Sequence, residues 1–251
     1  MNSVLAGTAF TIASALPIAM TQAETAPNPP WSYTTPSTDS THWAELSPDY
    51  RTCATGRMQS PIDIRTALKA DLPALTFDYR PGAATVLNNG HTIQVTPTDA
   101  GSARLADSKY RLEQFHFHSP SEELIEGRAY PLSVHLVHRN DANKLAVIAI
   151  LIEEGADNPA LTAILAAMTE TAGTSPTPIS TDPGELLPTQ RSYYSYLGSL
   201  TTPPCSEEVR WYIMAQPVSA SKIQLERFKA LYPMNARPVQ PLNGRNVYIG
   251  G

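Results

Sequence analysis

The segment Gln114-Phe115-His116-Phe117-His118 carries the strongest structural and chemical signal in the sequence. Aromatic and imidazole side chains alternate along it, and a period of two is typical of a β-strand. His116 and His118 therefore project from the same face and can bind one metal ion. Phe115 and Phe117 project from the other face, where they would enter a core. The segment predicts a sheet with chemistry on one face and packing on the other.

A third ligand for such a site has to come from a neighbouring strand. Val134-His135-Leu136-Val137-His138 offers two histidines, but they are three residues apart and face opposite ways on a regular strand. Only one of them can join the site. Three neutral imidazoles with an open fourth position are typical of a catalytic zinc site, and the two distant cysteines cannot supply a closed structural one.

A cupin-type metal protein is a rival interpretation of this local pattern. Cupin sites also use His-x-His followed by a glutamate, and Glu122 stands four residues after His118. In that case Glu122 would bind the metal directly. The local segment does not decide between the two, so the discriminating residues must lie elsewhere in the chain.

The rest of the chain indicates a mainly β, single-domain protein over residues 31–251, with a few peripheral helices. The continuous apolar runs at residues 145–152 and 209–214 have strand length and suit the centre of a sheet. Asn88-Asn89-Gly90-His91 predicts a hairpin turn. Asn158 followed by Pro159, and Ser221 followed by Gln224, are N-terminal signatures of two helices. We see no internal repeat.

Composition and the N-terminus limit the partners and the compartment. The 251-residue chain has a net charge of −5 and no cluster of Lys and Arg, which argues against nucleic acid as a partner. Residues 1–23 resemble a secretory signal peptide, and residues 24–30 form a Pro-rich lead-in. Polar residues and a proline interrupt the apolar stretch, which disfavours a stable membrane span. We therefore expect a secreted or periplasmic protein.

Taken together, a series of segments in order from Trp31 to the C-terminus resembles the α-class carbonic anhydrases. The segments are Trp31-Ser32-Tyr33, Gln59-Ser60-Pro61-Ile62-Asp63-Ile64, Asn88-Asn89-Gly90-His91, Gln114 to His118, Ser121-Glu122, His135-Leu136-Val137-His138, Leu145-Ala146-Val147, Ser199-Leu200-Thr201-Thr202-Pro203-Pro204-Cys205, Trp211 and Arg237-Pro238-Val239-Gln240-Pro241-Leu242. The Phe-His-Phe-His and Leu-Thr-Thr-Pro-Pro-Cys segments are the specific ones. A cupin has no reason to carry the second.

The resemblance implies a zinc enzyme on a large, mostly antiparallel twisted sheet. His116, His118 and His135 would bind Zn²⁺, and zinc-bound hydroxide would convert carbon dioxide reversibly to bicarbonate and a proton. Thr201 would accept a hydrogen bond from the hydroxide and donate its own to Glu122. A hydroxyl suits that place because it can both donate and accept, whereas a carboxylate only accepts.

The resemblance also assigns supporting roles. His91 would shuttle the product proton, since an imidazole titrates near neutral pH. Gln114 would hold the free nitrogen of His116, and Asn235 could contribute through its backbone. Thr202 would line the polar side of the substrate site. An apolar wall on the other side would comprise Val137, Val147, Leu200, Val209 and Trp211. Sulfonamides and anions would act as inhibitors.

The two cysteines occupy the places where secreted members of the family form one disulfide, so the resemblance implies a Cys53–Cys205 bridge. From spacing alone they could equally be free. A further alternative for the whole chain is a non-catalytic binding module that keeps the fold. All three histidines, Glu122 and Thr201 are present, which argues against that alternative.

The sequence departs from the family at two positions beside the predicted site. Ser133 stands where the family usually has a glutamate, two residues before the third ligand. Glu123 stands where the family commonly has a histidine, directly after Glu122. We expect Ser133 to weaken zinc retention or shift the pKa of the metal-bound water, and Glu123 to change the hydrogen bonding around Glu122.

Overall fold

The computed structural model describes Met1 and residues 30–106 and 108–251. The predicted signal peptide and the Pro-rich lead-in, apart from their terminal residues Met1 and Pro30, lie outside the described residues. Within the part that is described, no helix combines the length and the apolar character that crossing a bilayer requires.

The described residues form sixteen strands, four short α-helices and two turns of 3-10 helix, at Pro48–Tyr50 and Pro183–Leu186. The strands are β1 (Asp63–Ile64), β2 (Leu68–Lys69), β3 (Thr76–Tyr79), β4 (Gly82–Asn88), β5 (Ile93–Pro97), β6 (Gly101–Leu105), β7 (Ser108–His118), β8 (Leu124–Ile125), β9 (Leu132–Arg139), β10 (Leu145–Glu154), β11 (Gly173–Thr174), β12 (Ile179–Thr181), β13 (Tyr193–Ser199), β14 (Glu207–Met214), β15 (Val218–Ala220) and β16 (Tyr248–Gly250). The helices are α1 (Trp43–Leu46), α2 (Thr52–Thr55), α3 (Pro159–Ala167) and α4 (Lys222–Leu231).

Fourteen of these strands form one large sheet, whose main path runs β11-β4-β5-β7-β9-β10-β14-β13-β16-β2. Most pairs are antiparallel, which confirms the predicted mostly antiparallel sheet. The parallel pairs are β10 with β14, β10 with β15, and β16 with β2. The mainly β, single-domain prediction is confirmed.

The centre of the sheet is buried on both faces. β10 is apolar from Ala146 to Ile152 with every side chain buried, which is why its sequence is a continuous run and not an alternation. One face packs against α3 and α4 and holds the larger core. The other face holds a smaller apolar cluster that includes Val147 and Trp211. The predicted metal ligands lie on this second face.

β7 contains a β-bulge that sets the phase of the histidine segment. Its register against β9 shifts between Leu112, which pairs with His138, and Gln114, which pairs with Val137. Glu113 is therefore an extra residue. Because of it, Leu112 shares the larger core with the two phenylalanines of the segment, while Gln114 and the two histidines after it face the other way.

The predicted turn and helix starts are confirmed. Gly90 has a φ of +85° in the turn between β4 and β5, where Asn89 Oδ1 accepts hydrogen bonds from two backbone N–H groups. Asn158 caps α3 by accepting from a backbone N–H at 3.1 Å. Ser221 and Gln224 form the reciprocal capping box of α4.

Candidate metal centre

Sheet register brings three histidines together. His116 on β7 pairs directly with His135 on β9, and His118 follows His116 on the same face. One ring nitrogen from each of these residues lies within 4.8 Å of the others. The separation of two residues on one strand, combined with direct pairing to the next strand, produces this triangle without any loop contribution.

Each of the β7 histidines uses Nδ1 for a hydrogen bond to the protein. His116 Nδ1 lies 2.9 Å from Gln114 Oε1, and His118 Nδ1 lies 2.8 Å from the backbone oxygen of Asn235. Both partners are oxygen acceptors, so Nδ1 carries the proton in the neutral ring. The lone pair of Nε2 is then directed into the triangle in both residues.

His135 is held the other way round. Its Nε2 lies 3.1 Å from Glu123 Oε2, which leaves Nδ1 for the triangle. His138 does not join the site: its Nε2 lies 2.6 Å from the Tyr79 hydroxyl on the opposite face of the sheet. The prediction that only one of the two β9 histidines can face the site is confirmed.

Burial keeps two of the three rings neutral. Desolvation, with the nearby His135 adding to it, lowers the pKa of His116 to about 3 and that of His118 well below its usual value. Burial also acts to lower the pKa of His135, but the charge and hydrogen bond of Glu123 and the charge of Glu122 raise it above its ordinary value. Neutral imidazole is the form that binds a metal ion.

Two buried polar atoms at the triangle suit the presence of a cation. His118 Nε2 and Glu122 Oε2 have no hydrogen-bond partner among the described residues, and they lie 3.5 Å apart. Unpaired buried polar atoms are costly, so native proteins rarely leave two side by side. A cation between the imidazoles would satisfy His118 Nε2, and its charge would stabilise the buried carboxylate nearby. Three imidazoles and an open position fit Zn²⁺.

Glu122 and Thr201 come from loops at the edge of this triangle. Glu122 is buried, and its Oε1 accepts a hydrogen bond from the Arg237 backbone N–H at 2.8 Å. Burial raises the pKa of Glu122 to about 7, while His135, the Arg237 N–H and the Thr201 hydroxyl pull it down. Glu122 Oε2 makes no hydrogen bond of normal geometry among the described residues, to the Thr201 hydroxyl or to any other group.

An apolar wall stands beside the histidines. Val137, Val147 and Trp211 pair directly across β9, β10 and β14 and form one row of the smaller core cluster. Val209 belongs to the same cluster, and the half-buried Leu200 packs against it. The Trp211 ring also meets the His135 ring edge-on, with centroids 5.0 Å apart. All five predicted apolar residues therefore lie on the side of the sheet that carries the triangle.

A cavity of about 140 Å³ opens onto the triangle. Its polar lining includes Thr202, Gln114 and His91. It also includes Trp31, whose ring stacks on His91 at 3.7 Å with an angle of 6° between the planes. His91 lines a second cavity of about 280 Å³ as well. Partial burial lowers the pKa of His91 from its ordinary value.

The predicted disulfide is present. Cys53 on α2 and Cys205 are bonded, with their Cα atoms 5.0 Å apart, and no free cysteine remains. The buried Arg237 guanidinium reinforces this region by donating to the backbone oxygen of Cys53 at 3.0 Å and to Gln59 Oε1 at 2.9 Å. The bridge fixes the end of the loop that carries Thr201.

Sequence reasoning missed two contacts of the site. The backbone N–H of Arg237 orients Glu122, but main-chain donors leave no mark in a sequence. Glu123 binds His135, whereas we expected its carboxylate to act around Glu122; there it contributes only through charge, raising the pKa of Glu122. The only mark in the sequence is the pair of consecutive glutamates, because their burial is visible only in the structure.

Comparison with known proteins gives a consistent result. The family model for eukaryotic-type carbonic anhydrase matches residues 38–250. A carbonic anhydrase of Pectobacterium carotovorum is 44% identical over 211 residues, which cover 82% of this chain and 86% of that protein. The α-carbonic anhydrase of Thermovibrio ammonificans, solved with the inhibitor sulfanilamide, is 41% identical with a TM-score of 0.83, covering 88% of this chain and 99% of that one. The Photobacterium profundum α-carbonic anhydrase is 42% identical with a TM-score of 0.82, covering 87% and 100%.

Proposed function

Because this chain belongs to the family of eukaryotic-type, α-class carbonic anhydrases, we propose that it hydrates carbon dioxide at a zinc ion held by His116, His118 and His135. The reaction combines carbon dioxide with water to give bicarbonate and a proton, and it is reversible. The observation that carries the proposal is the triangle of ring nitrogens within 4.8 Å of one another, beside a Glu122 Oε2 that has no hydrogen-bond partner among the described residues. The family assignment also removes the cupin alternative.

Each histidine would present one nitrogen to the metal and the other to the protein. His116 and His118 would use Nε2, and His135 would use Nδ1. A zinc ion in such a site lowers the pKa of a bound water to about 7, a value known for carbonic anhydrases and not one obtained from this structure. The hydrogen bonds on the outer nitrogens hold the rings in place, so little has to move when the metal binds.

Glu122 and Thr201 would orient the attacking oxygen. The Arg237 N–H holds Glu122 Oε1, which leaves Oε2 to accept from the Thr201 hydroxyl. With its proton committed to the carboxylate, the Thr201 oxygen can only accept a hydrogen bond from the nucleophile. The lone pair of the nucleophile then points toward the carbon of the substrate, which is the geometric requirement for attack.

The apolar wall would hold carbon dioxide next to that oxygen. Carbon dioxide has no net charge or dipole, so a surface of Val137, Val147 and Trp211 can take it out of water at little cost. Val209 and Leu200 would complete the surface. Bicarbonate is charged and would be held poorly there, so the same wall favours release of product toward the polar side at Thr202.

His91 would carry the product proton away. It lines both the cavity at the triangle and the neighbouring one, so it can accept a proton on one side and release it on the other. Its lowered pKa makes the neutral, proton-accepting form the major one at neutral pH. Stacking on Trp31 holds the ring at the border of the two cavities.

We also propose that the protein is exported through a signal peptide at residues 1–23. The Cys53–Cys205 bridge supports this, because disulfides persist in oxidising compartments such as the periplasm. N-terminal sequencing of protein recovered from the periplasm or the medium would test it. A mature chain that begins near residue 24 is the expected result, and an intact Met1 on exported protein would contradict it.

Stopped-flow measurement of carbon dioxide hydration tests the reaction and its location. We expect fast turnover that a zinc-binding sulfonamide inhibits, that a chelator abolishes and that added zinc restores. His116→Gln should lose both zinc and turnover. His138→Gln is the matched control, since His138 is also buried but bonds to Tyr79 away from the triangle.

The outcomes separate the alternatives. Loss of zinc in His116→Gln with retention in His138→Gln would place the metal at the triangle. A wild-type protein that binds zinc stoichiometrically yet gives no turnover would contradict the proposed enzyme and favour the non-catalytic binding module.

A further inference from the structure

We propose that Glu123 is a positioning residue that orients His135 and strengthens its hold on the metal, in place of a carboxylate at position 133. The proposal rests on the zinc part of the proposed function. It concerns one side chain, which reaches the site from the segment before β8 and not from the strand that carries His135.

His135 lies between two carboxylates. Its Nε2 is 3.1 Å from Glu123 Oε2, and its Nδ1 is 3.8 Å from Glu122 Oε2. All three side chains are at most 1% exposed. Only the Glu123 distance is a hydrogen bond, so the ring proton belongs on Nε2 and the lone pair on Nδ1. That lone pair faces the other two ligand nitrogens.

The backbone around Glu123 is fixed independently of any metal. The Ser121 hydroxyl donates to the Glu123 backbone oxygen at 2.8 Å and accepts from the Tyr130 N–H at 2.9 Å. The next residue, Leu124, belongs to β8 and pairs with Asp63 on β1. Glu123 can therefore hold the His135 ring in one orientation before a ligand arrives, which is the use of a rigid supporting residue.

Ser133 does not supply this contact. It lies two residues before His135 on β9, opposite His118, and is completely buried. Its hydroxyl oxygen has no hydrogen-bond partner in the described part of the chain. The expected weakening of zinc retention through Ser133 is therefore offset, because a carboxylate still reaches the His135 ring from position 123.

The charge of Glu123 also needs an explanation. A carboxylate with 0% exposure is costly, and Glu123 Oε1 has no partner among the residues described. The cost falls if a positive charge lies on the far side of the imidazole, because the carboxylate then stabilises the polarised ring. Glu123 is thus placed where it contributes most when a cation is bound and least when it is absent.

Zinc affinity of purified protein, measured by competition with a chelator, tests the proposal. Glu123→Gln keeps the shape and an oxygen acceptor but removes the charge, and we expect zinc to bind about 10- to 100-fold more weakly. Ser133→Ala is the matched control in the same buried shell and should stay within about twofold of wild type, since its hydroxyl has no hydrogen-bond partner among the residues the structure describes. The metal-free melting temperature of Glu123→Gln should not fall, whereas a merely structural residue would lower it.

A second measurement needs no variant and decides the matter if Glu123→Gln does not fold. Nitrogen-15 NMR of the His135 ring in metal-free wild-type protein should show the neutral tautomer with the proton on Nε2. A proton on Nδ1, or equal zinc affinity in wild type and Glu123→Gln, would overturn the proposal while leaving the enzyme intact. Failure of the wild-type protein to bind zinc would instead overturn the proposed function, and this inference with it.

Discussion

Removing the Cys53–Cys205 bridge should strongly destabilise the protein. The bridge joins residues 152 positions apart, so it closes most of the domain into one loop. Cys205 is fully buried, and its N–H bonds to the Thr202 backbone oxygen at 2.8 Å, within the loop that carries Thr201. The perturbation is the double variant Cys53→Ala with Cys205→Ala, compared with wild-type protein under reducing conditions.

The size of the effect follows from the loop length. On a chain-entropy argument, closing a loop of 152 residues lowers the entropy of the unfolded chain by about 17 cal/mol/K, or about 5 kcal/mol at room temperature. This is a large share of the roughly 5–15 kcal/mol that stabilises an ordinary domain. The free energy of unfolding should therefore fall by up to about 5 kcal/mol.

Equilibrium denaturation in urea, followed by tryptophan fluorescence, measures the effect. Reduced wild type and the double variant should unfold at similar, much lower urea concentrations than oxidised wild type, because both lack the cross-link. Agreement between them separates the cross-link from the loss of two sulfur atoms in the core. A difference below about 1 kcal/mol between oxidised and reduced wild type would refute the reasoning, since the unfolded chain would then gain little freedom on reduction.

Four further predictions concern the site and the stability of the fold. His91→Ala should slow carbon dioxide hydration in dilute buffer and recover when imidazole is added, and unchanged turnover in dilute buffer would contradict the proton-carrying role. Thr201→Ala should retain zinc but lose about 100-fold in kcat/KM, with Thr201→Ser as the control that keeps the hydroxyl. A kcat/KM of Thr201→Ala equal to that of wild type would exclude the orienting role of Thr201. Relative to Asn158→Asp, which can still accept at the α3 cap, Asn158→Ala should cost about 1 kcal/mol of unfolding free energy in urea denaturation; both variants lose the Nδ2 hydrogen bond to the Ser219 backbone oxygen. His138 has a folded-state pKa of about 4 because of burial, so the unfolded chain binds the extra proton as the pH falls from about 6.5 to 4 and stability declines across that window. His138 alone should reduce the free energy of unfolding by on the order of 2 kcal/mol between pH 7 and pH 5. The free energy of unfolding of His138→Gln, measured in parallel, should fall by less.

The parts of the fold that depend on local chemistry could be predicted. Alternation placed His116 and His118 on one face because strand geometry has a fixed period. Gly90 in the hairpin and the cap at Asn158 were predictable for a similar reason, since the residues that define a turn or a helix start are neighbours in sequence. The choice of His135 over His138 as the third ligand needed the resemblance. The two histidines lie on opposite faces of the strand, and the sequence of the strand does not show which face carries the site.

The contacts that depend on distant segments could not be predicted. Arg237 holds Glu122 through a backbone N–H from a residue 115 positions away, and main-chain groups are the same in every residue. The His135–Glu123 bond depends on how the segment before β8 approaches β9. The parallel pairing of β10 with β14 likewise joins strands that are far apart in the chain, and strand alternation gives no direction of pairing.

The bulge at Glu113 has a consequence for which insertions and deletions the gene can tolerate. Glu113 is tied to Arg139 by two hydrogen bonds of 2.6 and 3.1 Å, and the bulge accommodates it as an extra residue between the two halves of β7. Loss of this codon would leave Leu112 opposite His138 and Gln114 opposite Val137 in a regular strand, so both halves would keep their faces. Loss of a codon between Gln114 and His118 would instead turn one half of the strand to the wrong face. A codon added to the turn at Gly90 changes no strand phase. Codon changes in this family should therefore accumulate in turns and at this bulge, and be excluded from the part of β7 that carries the histidines.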